Sequence, residues 1–229
     1  PTVSSTDVLW LSDQTIHSLE VLSGRVTKNL WKTLTHQSLP RLMFMNGKIF
    51  ALGGHDCKHR RESSAVKSLN ICEPNPEWKS ETPMLKPFMT PVAVKFADKL
   101  YVMDRFNGKG RSRVTMMFDP VWNEWERKKD MPGDCNGGAV LALNDKIYVV
   151  GGTPGVCFAY TPTSDTWKTF SGPRKPYRNC CATAWKGKIL LMDKDYAEEY
   201  DPKSDQWSLK ETLAVKEECE FIQIWTFMF

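Results

Sequence analysis

Short apolar runs separated by tight polar breaks recur along most of this chain. None keeps the i, i+3, i+4 spacing of an amphipathic helix for more than a turn. Four of the breaks share a form: Asn46-Gly47-Lys48-Ile49, Ala97-Asp98-Lys99-Leu100, Asn144-Asp145-Lys146-Ile147 and Lys186-Gly187-Lys188-Ile189. Two turn residues between apolar runs read as a hairpin, and Asn-Gly suits the type I′ turn, whose central residues both need positive φ. The clearest unit places strand one at Ala139–Leu143 and strand two at Lys146–Val150. Gly151-Gly152 then lets the chain leave the sheet where a Cβ would clash. Strand three is expected at Val156–Tyr160, a turn at Pro162–Asp165 and strand four at Thr166–Phe170.

Tryptophan keeps time with these hairpins. Trp31, Trp78, Trp125, Trp167 and Trp207 are separated by 47, 47, 42 and 40 residues. Phe118-Asp119-Pro120, Tyr160-Thr161-Pro162 and Tyr200-Asp201-Pro202 each put Pro five residues before a Trp. Markers repeating in one register make this a repeat protein. Four short antiparallel strands per unit form a propeller blade, which cannot bury both faces alone and stacks radially on its neighbours. The Trp and the aromatic before Pro are large enough to fill the widening gap between blades, so they are read as core.

The double glycines Gly53-Gly54 and Gly151-Gly152, the Tyr-x-Pro-x4-Trp signature and the turn-Lys-Ile-Tyr stretch together resemble Kelch repeats, from about Val8 to Trp225. The resemblance implies an all-β propeller of about five four-stranded blades, occupying residues 1–229 as one domain. Val8–Leu11 and His17–Leu22 are then strands two and three of the first unit. Phe221–Trp225 is a spare strand one that closes the ring by pairing with Val8–Leu11. Asp104-Arg105 and Asp193-Lys194 replace the double glycine, Pro74 and Pro76 replace the usual turn, and Ser23–Leu30 is read as an insertion before Trp31. Those places should be irregular. The resemblance further implies a substrate receptor of a BTB–Kelch cullin–RING ubiquitin ligase, coupled through a BTB region that these residues do not contain. A Kelch scaffold for actin or another cytoskeletal protein is the alternative, and a propeller enzyme of the oxidase or lyase kind ranks third. The start at Pro1 reads as a piece cut from a longer chain.

Net charge is +4, which by itself argues no partner, but its distribution is uneven. Three loop segments, His55–Ser64, Arg105–Arg113 and Arg174–Arg178, hold ten Lys or Arg against Asp56 and Glu62. They carry +8, and the rest of the chain carries −4. On a propeller these loops share one face. Arg60, Arg61, Arg105, Lys109, Arg111, Arg113 and Arg178, with Phe106 and Tyr177 as apolar anchors, are the candidate partner-binding residues, and Phe88 beside them is a further anchor. Their expected partner is a protein carrying an acidic segment, gripped by Arg–carboxylate forks.

Other chemistry is thinly supported. Of four His, only His55-Asp56-Cys57-Lys58-His59 clusters ligand types, and no second ligand set accompanies it, so no metal site is expected. The chain carries no P-loop, GxGxxG or G-x-S-x-G, so no cofactor and no catalysis are expected. Phe106 and Tyr177 among basic loops could stack on bases, but the mildly acidic bulk weighs against nucleic acid. Seven cysteines without regular spacing, and no N-x-Ser/Thr sequon, suit reduced thiols in the cytoplasm. Mean hydropathy of −0.43 and the lack of a long apolar run argue against a membrane span.

Overall fold

The computed structural model describes residues 40–210 apart from 105–112, 135, 154, 178–179 and 194. It also describes backbone strands at 7–12, 15–20, 25–32 and 37–38. Every ordered element among these residues is a β-strand. Strands β1 (Asp7–Ser12), β2 (Thr15–Glu20) and β3 (Arg25–Lys32) make a three-stranded antiparallel sheet. Four four-stranded meanders follow. The first is β5 (Arg41–Met45), β6 (Lys48–Leu52), β9 (Val66–Asn70) and β10 (Trp78–Glu81). The second is β11 (Val92–Phe96), β12 (Lys99–Met103), β13 (Thr115–Asp119) and β14 (Glu124–Lys128). The third is β15 (Ala139–Leu143), β16 (Lys146–Val150), β17 (Cys157–Thr161) and β18 (Thr166–Phe170), and the fourth is β19 (Cys181–Trp185), β20 (Lys188–Met192), β21 (Ala197–Asp201) and β22 (Gln206–Leu209). The strands of the clearest unit thus fall where the apolar runs put them, with strand three one residue later than expected.

Turn chemistry explains the hairpins. Asn46 and Gly47 have φ of 52° and 72°, Ala97 and Asp98 47° and 56°, and Lys186 and Gly187 49° and 77°, all in the left-handed region that type I′ demands. Gly151 (φ 70°) brings the chain against the next blade and Gly152 (φ 74°) against the loop entering its own: a Cβ on Gly151 would lie 2.6 Å from Cys180 Sγ, and one on Gly152 2.6 Å from Asn136 O. The insertion expected at Ser23–Leu30 is irregular as read, but it is a bulge within a strand. Arg25–Lys32 is one strand, and Lys28–Leu30 oppose the single residue His17, so the extra residues are taken up by a bulge rather than a loop. The proline-bearing segment at 71–77 does replace the short β-turn found at 120–123, 162–165 and 202–205. The closing strand Phe221–Trp225 lies outside the described residues.

Strand β5 neighbours β11, β11 neighbours β15, and β15 neighbours β19, so strand one of each blade stands beside strand one of the next. Because successive side chains on a strand point to opposite faces, each blade feeds two cores. Met43, Met45, Phe50 and Leu52 meet Leu100, Val102, Met116 and Phe118 in the first seam. Val92, Tyr101 and Met103 meet Ile147, Val149, Phe158 and Tyr160 in the second. Leu141, Tyr148 and Cys157 meet Ile189, Leu191, Tyr200 and Trp207 in the third. Strand four lies furthest from these inner strands, and in the second and third blades it buries no residue completely (β14 and β18). Burial in the third seam pushes the Cys157 thiol up to about 12, as expected of a packing residue with little thiolate character.

A repeated clip fastens one blade to the next. The Trp167 indole N–H donates to Lys129 O at 2.8 Å, and the Lys129 amide donates to Asp165 Oδ1 at 2.9 Å. Trp125 and Asn123 grip Thr82 in the same way (2.9 and 3.1 Å), and Trp207 and Asp205 grip Ser171 (2.8 and 3.2 Å). Asn123, Asp165 and Asp205 all sit at positive φ (53°, 49° and 54°), a conformation that Asn and Asp tolerate better than most residues. Behind each clip the aromatic before Pro packs on the Trp, with ring centroids 5.0 Å apart for Phe118–Trp125, 4.8 Å for Tyr160–Trp167 and 5.0 Å for Tyr200–Trp207. The Tyr160 and Tyr200 hydroxyls also donate to Asp165 and Asp205 (2.6 and 2.8 Å), whereas Phe118, which has no hydroxyl, stands with Asn123.

Two outcomes follow from the clip. Trp167→Phe keeps an aromatic ring in the seam but removes the indole donor to Lys129 O, so urea unfolding should show a loss of about 1–2 kcal/mol. The acid response has a definite sign. Against the upward push of desolvation, the Tyr160 hydroxyl and Lys129 amide hold the Asp165 carboxyl below the usual range. Hydrogen bonds from Ser171 and Tyr200 do the same for Asp205. A depressed folded pKa stabilises the protein above the unfolded value of about 3.9, and that stability is lost as pH falls through the folded value. Thermal midpoints of the native protein should therefore fall below about pH 4, and Asp165→Asn with Asp205→Asn should flatten that fall.

Candidate functional site

At one end of the sheets, the loops between strands two and three and the loops between blades are knitted together by backbone. In the first seam Gly54 N–H donates to Phe88 O (2.9 Å), Phe88 N–H to Ser63 O (3.1 Å) and Met84 N–H to Ser64 O (2.8 Å). Met131 N–H reaches Arg113 O (2.8 Å) in the second, and Thr153 N–H reaches Asn136 O (2.7 Å). Cys180 N–H donates to Gly137 O at 3.2 Å. The loop segments singled out for their charge therefore issue from one end, as far as they are described.

The 55–62 segment is an ordered hairpin. Strands β7 (His55–Asp56) and β8 (Arg61–Glu62) pair with each other, and β7 pairs with β4 (Gln37–Ser38). Asp56 organises its tip, accepting from the amides of Lys58 and His59 (3.0 and 3.1 Å) and lying 2.7 Å from His59 Nδ1. The His59 side chain, followed by these amide bonds, lowers the Asp56 carboxyl to about 2. The tip closes with Arg60 at φ 52°, and both Arg60 and Arg61 project into solvent. The one ligand-type cluster of the sequence is thus a turn built on an Asp–His contact. Among the described residues no three His, Cys, Asp or Glu side chains converge on a common point.

The remaining candidates divide. Arg113 is 46% exposed, and its Nε lies 3.8 Å from Asp134 Oδ1, so part of its charge is met within the fold. Tyr177 and Phe88, expected as surface anchors, are each only 1% exposed. Each occupies the inter-blade position where the chain dips into the seam, Phe88 in the first core and Tyr177 in the third. Burial, and then the charge of Glu198, push the Tyr177 hydroxyl above its ordinary range. Neither ring is offered to a partner; both support the loops from below. Arg105, Phe106, Lys109, Arg111 and Arg178 lie outside the described residues.

Sequence reasoning missed the group that holds the third basic segment. Glu198 is 0% exposed, and its two carboxylate oxygens accept the amides of Arg174 (3.0 Å) and Lys175 (2.9 Å). Lys175 Nζ stands over the Tyr196 ring at 5.3 Å, and Tyr196 meets Tyr177 edge to face at 6.3 Å. The side chains of Arg174 and Lys175 themselves are exposed. Among the described residues, no helix is long and apolar enough to cross a membrane.

No family model matches the chain. Curated relatives do. Mouse Kelch-like protein 35 is 27% identical over 157 residues, covering 66% of this chain and 26% of that protein. Kelch-like protein 25 of Xenopus tropicalis is 29% identical over 145 residues, covering 61% and 24%. Beta-scruin of Limulus polyphemus is 24% identical over 139 residues, covering 56% and 15%. The chain spans about a quarter of the length of the two Kelch-like relatives. The solved structure of YjhT shares the fold, with a TM-score of 0.60 at 14% identity over 77% of this chain and 67% of that one. Four-stranded meanders stacked through clipped tryptophans are the blades of a β-propeller, and its repeats are similar to those of Kelch-like proteins.

Proposed function

We propose that this domain is a non-catalytic protein-interaction module whose basic loop end takes an acidic segment of a partner protein. The observation that carries the reading is the concentration of ten Lys and Arg on three loop segments of an otherwise acidic chain. The hydrogen-bonded knitting of loops at one end supports it, as do the solvent-facing Arg60, Arg61, Arg174 and Lys175. Arginine forks on carboxylates give both attraction and orientation, and a charged face speeds encounter with a partner of opposite sign. The match to proteins named Kelch-like supports a finer reading. In it the domain works in the cytoplasm as the substrate-recognition part of a cullin–RING ubiquitin ligase, coupled through a BTB region elsewhere in a longer chain. The match to Beta-scruin keeps a cytoskeletal scaffold as the second reading.

The two readings separate by what is bound. A glutamate-rich peptide labelled with fluorescein should bind with an affinity that falls as salt rises. Replacing Arg60, Arg61, Arg111, Arg113 and Arg178 by Ala should weaken it about tenfold or more with circular dichroism unchanged. Undiminished binding by that variant overturns the acidic-partner reading, and cosedimentation with actin filaments that the same five substitutions leave intact favours the scaffold.

A further inference from the structure

The third seam departs from its sisters at two linked positions. The second residue of strand three is Met116 in β13 and Phe158 in β17, both buried in the seam behind them. In β21 the same position is Glu198. The third residue of the inter-blade loop facing that side chain is Met84 in the first seam and Met131 in the second, again buried in the same two cores. In the third seam it is Pro173. The equivalence holds two residues further on: a Cβ on Gly133 would lie 2.8 Å from the Phe158 ring, and Lys175 in the matching place donates its amide to Glu198 at 2.9 Å. An apolar plug has been exchanged for a carboxylate that clamps two successive amides.

Packing does not call for this exchange, since Met and Phe fill the sister sites. A buried carboxylate is costly unless its hydrogen bonds are met, and replacement of a buried charge by well-packed apolar groups is often neutral or stabilising. What the clamp does accomplish is local. It fixes the backbone of Arg174 and Lys175 while their side chains face solvent, and the Lys175 ammonium rests over the Tyr196 ring at 5.3 Å. We infer that Arg174 and Lys175 form a pre-positioned carboxylate-binding pair for the acidic partner segment, with Glu198 as their positioning residue; this rests on the acidic-partner reading. Holding the backbone before binding lowers the ordering cost that flexible loops meet on association.

The test uses fluorescein-labelled hexaglutamate and three proteins: the native domain, R174A/K175A, and P173M/E198F, which restores the apolar plug of the sister seams. Binding is read by anisotropy at low salt and stability by thermal midpoint. R174A/K175A should bind about fivefold to tenfold more weakly with its midpoint unchanged. P173M/E198F should lose a similar factor although its midpoint holds or rises, a combination that a merely structural role for Glu198 would not produce. Native-like binding by R174A/K175A overturns the inference and leaves the acidic-partner reading standing. Native-like binding by P173M/E198F removes the positioning role of Glu198. Failure of the native domain to bind hexaglutamate overturns both. If P173M/E198F loses its sheet signal, R174A/K175A decides for the pair and E198Q, which keeps one acceptor oxygen, decides for Glu198: it should bind more weakly than the native domain, and native-like binding removes the positioning role.

Discussion

The backbones of Thr82, Lys129 and Ser171 are each gripped twice by the following blade, amide by an Asn or Asp oxygen and carbonyl by a Trp indole. A single hydrogen bond lets two sheets pivot. Two bonds to the backbone of one residue, from side chains two residues apart, fix both distance and angle. Each gripped residue directly follows strand four, so the clip also sets where the chain leaves one blade for the next. The seam cores pack in the geometry it allows: Trp against Phe or Tyr at the outside, aliphatic, Met and further aromatic side chains towards the inner strands.

Much of this was legible in sequence because it is periodic. The hairpin turns, the double glycine and the Trp spacing each recur, and recurrence fixes register where one unit alone would be ambiguous. Trp125, Trp167 and Trp207 fill the gap between blades as expected, though their indole donors were not foreseen. What failed lay where one unit differs from its sisters. The residues before Trp31 looked like an insertion because the count exceeded the period, yet a bulge opposite His17 absorbs them within the strand. Tyr177 and Phe88 sat among exposed charges in sequence, and nothing in a loop's composition says that its middle residue turns down into the seam.

Glu198 illustrates the same limit from the other side. Next to Glu199 in a strand it looks like an ordinary solvated pair, because alternation alone does not tell which of two adjacent acids faces the core. Comparing strand three across the units, rather than along one, would have exposed it: Met116, Phe158 and Glu198 occupy one position. Glu199 points the other way, towards Lys188 and Lys210 at 2.9 and 3.4 Å. The candidate face was legible as a charge distribution and not as a geometry. Its arginines were found by counting, and the scaffold that aims two of the basic residues was invisible to counting.

The clip reads peptide groups and is indifferent to the side chain that carries them. Thr82, Lys129 and Ser171 have little in common chemically, and all three are held alike; the extra bonds from the Ser171 hydroxyl to Asp205 are a local addition. Each is also the first residue of an inter-blade loop. The fold thus separates the part of a loop that must be constant from the part that can vary, and the constant part costs no sequence information. Loops downstream of the grip can lengthen, shorten or change sign by ordinary mutation while the blades keep their angle. One rigid frame can in this way carry successive generations of binding surface.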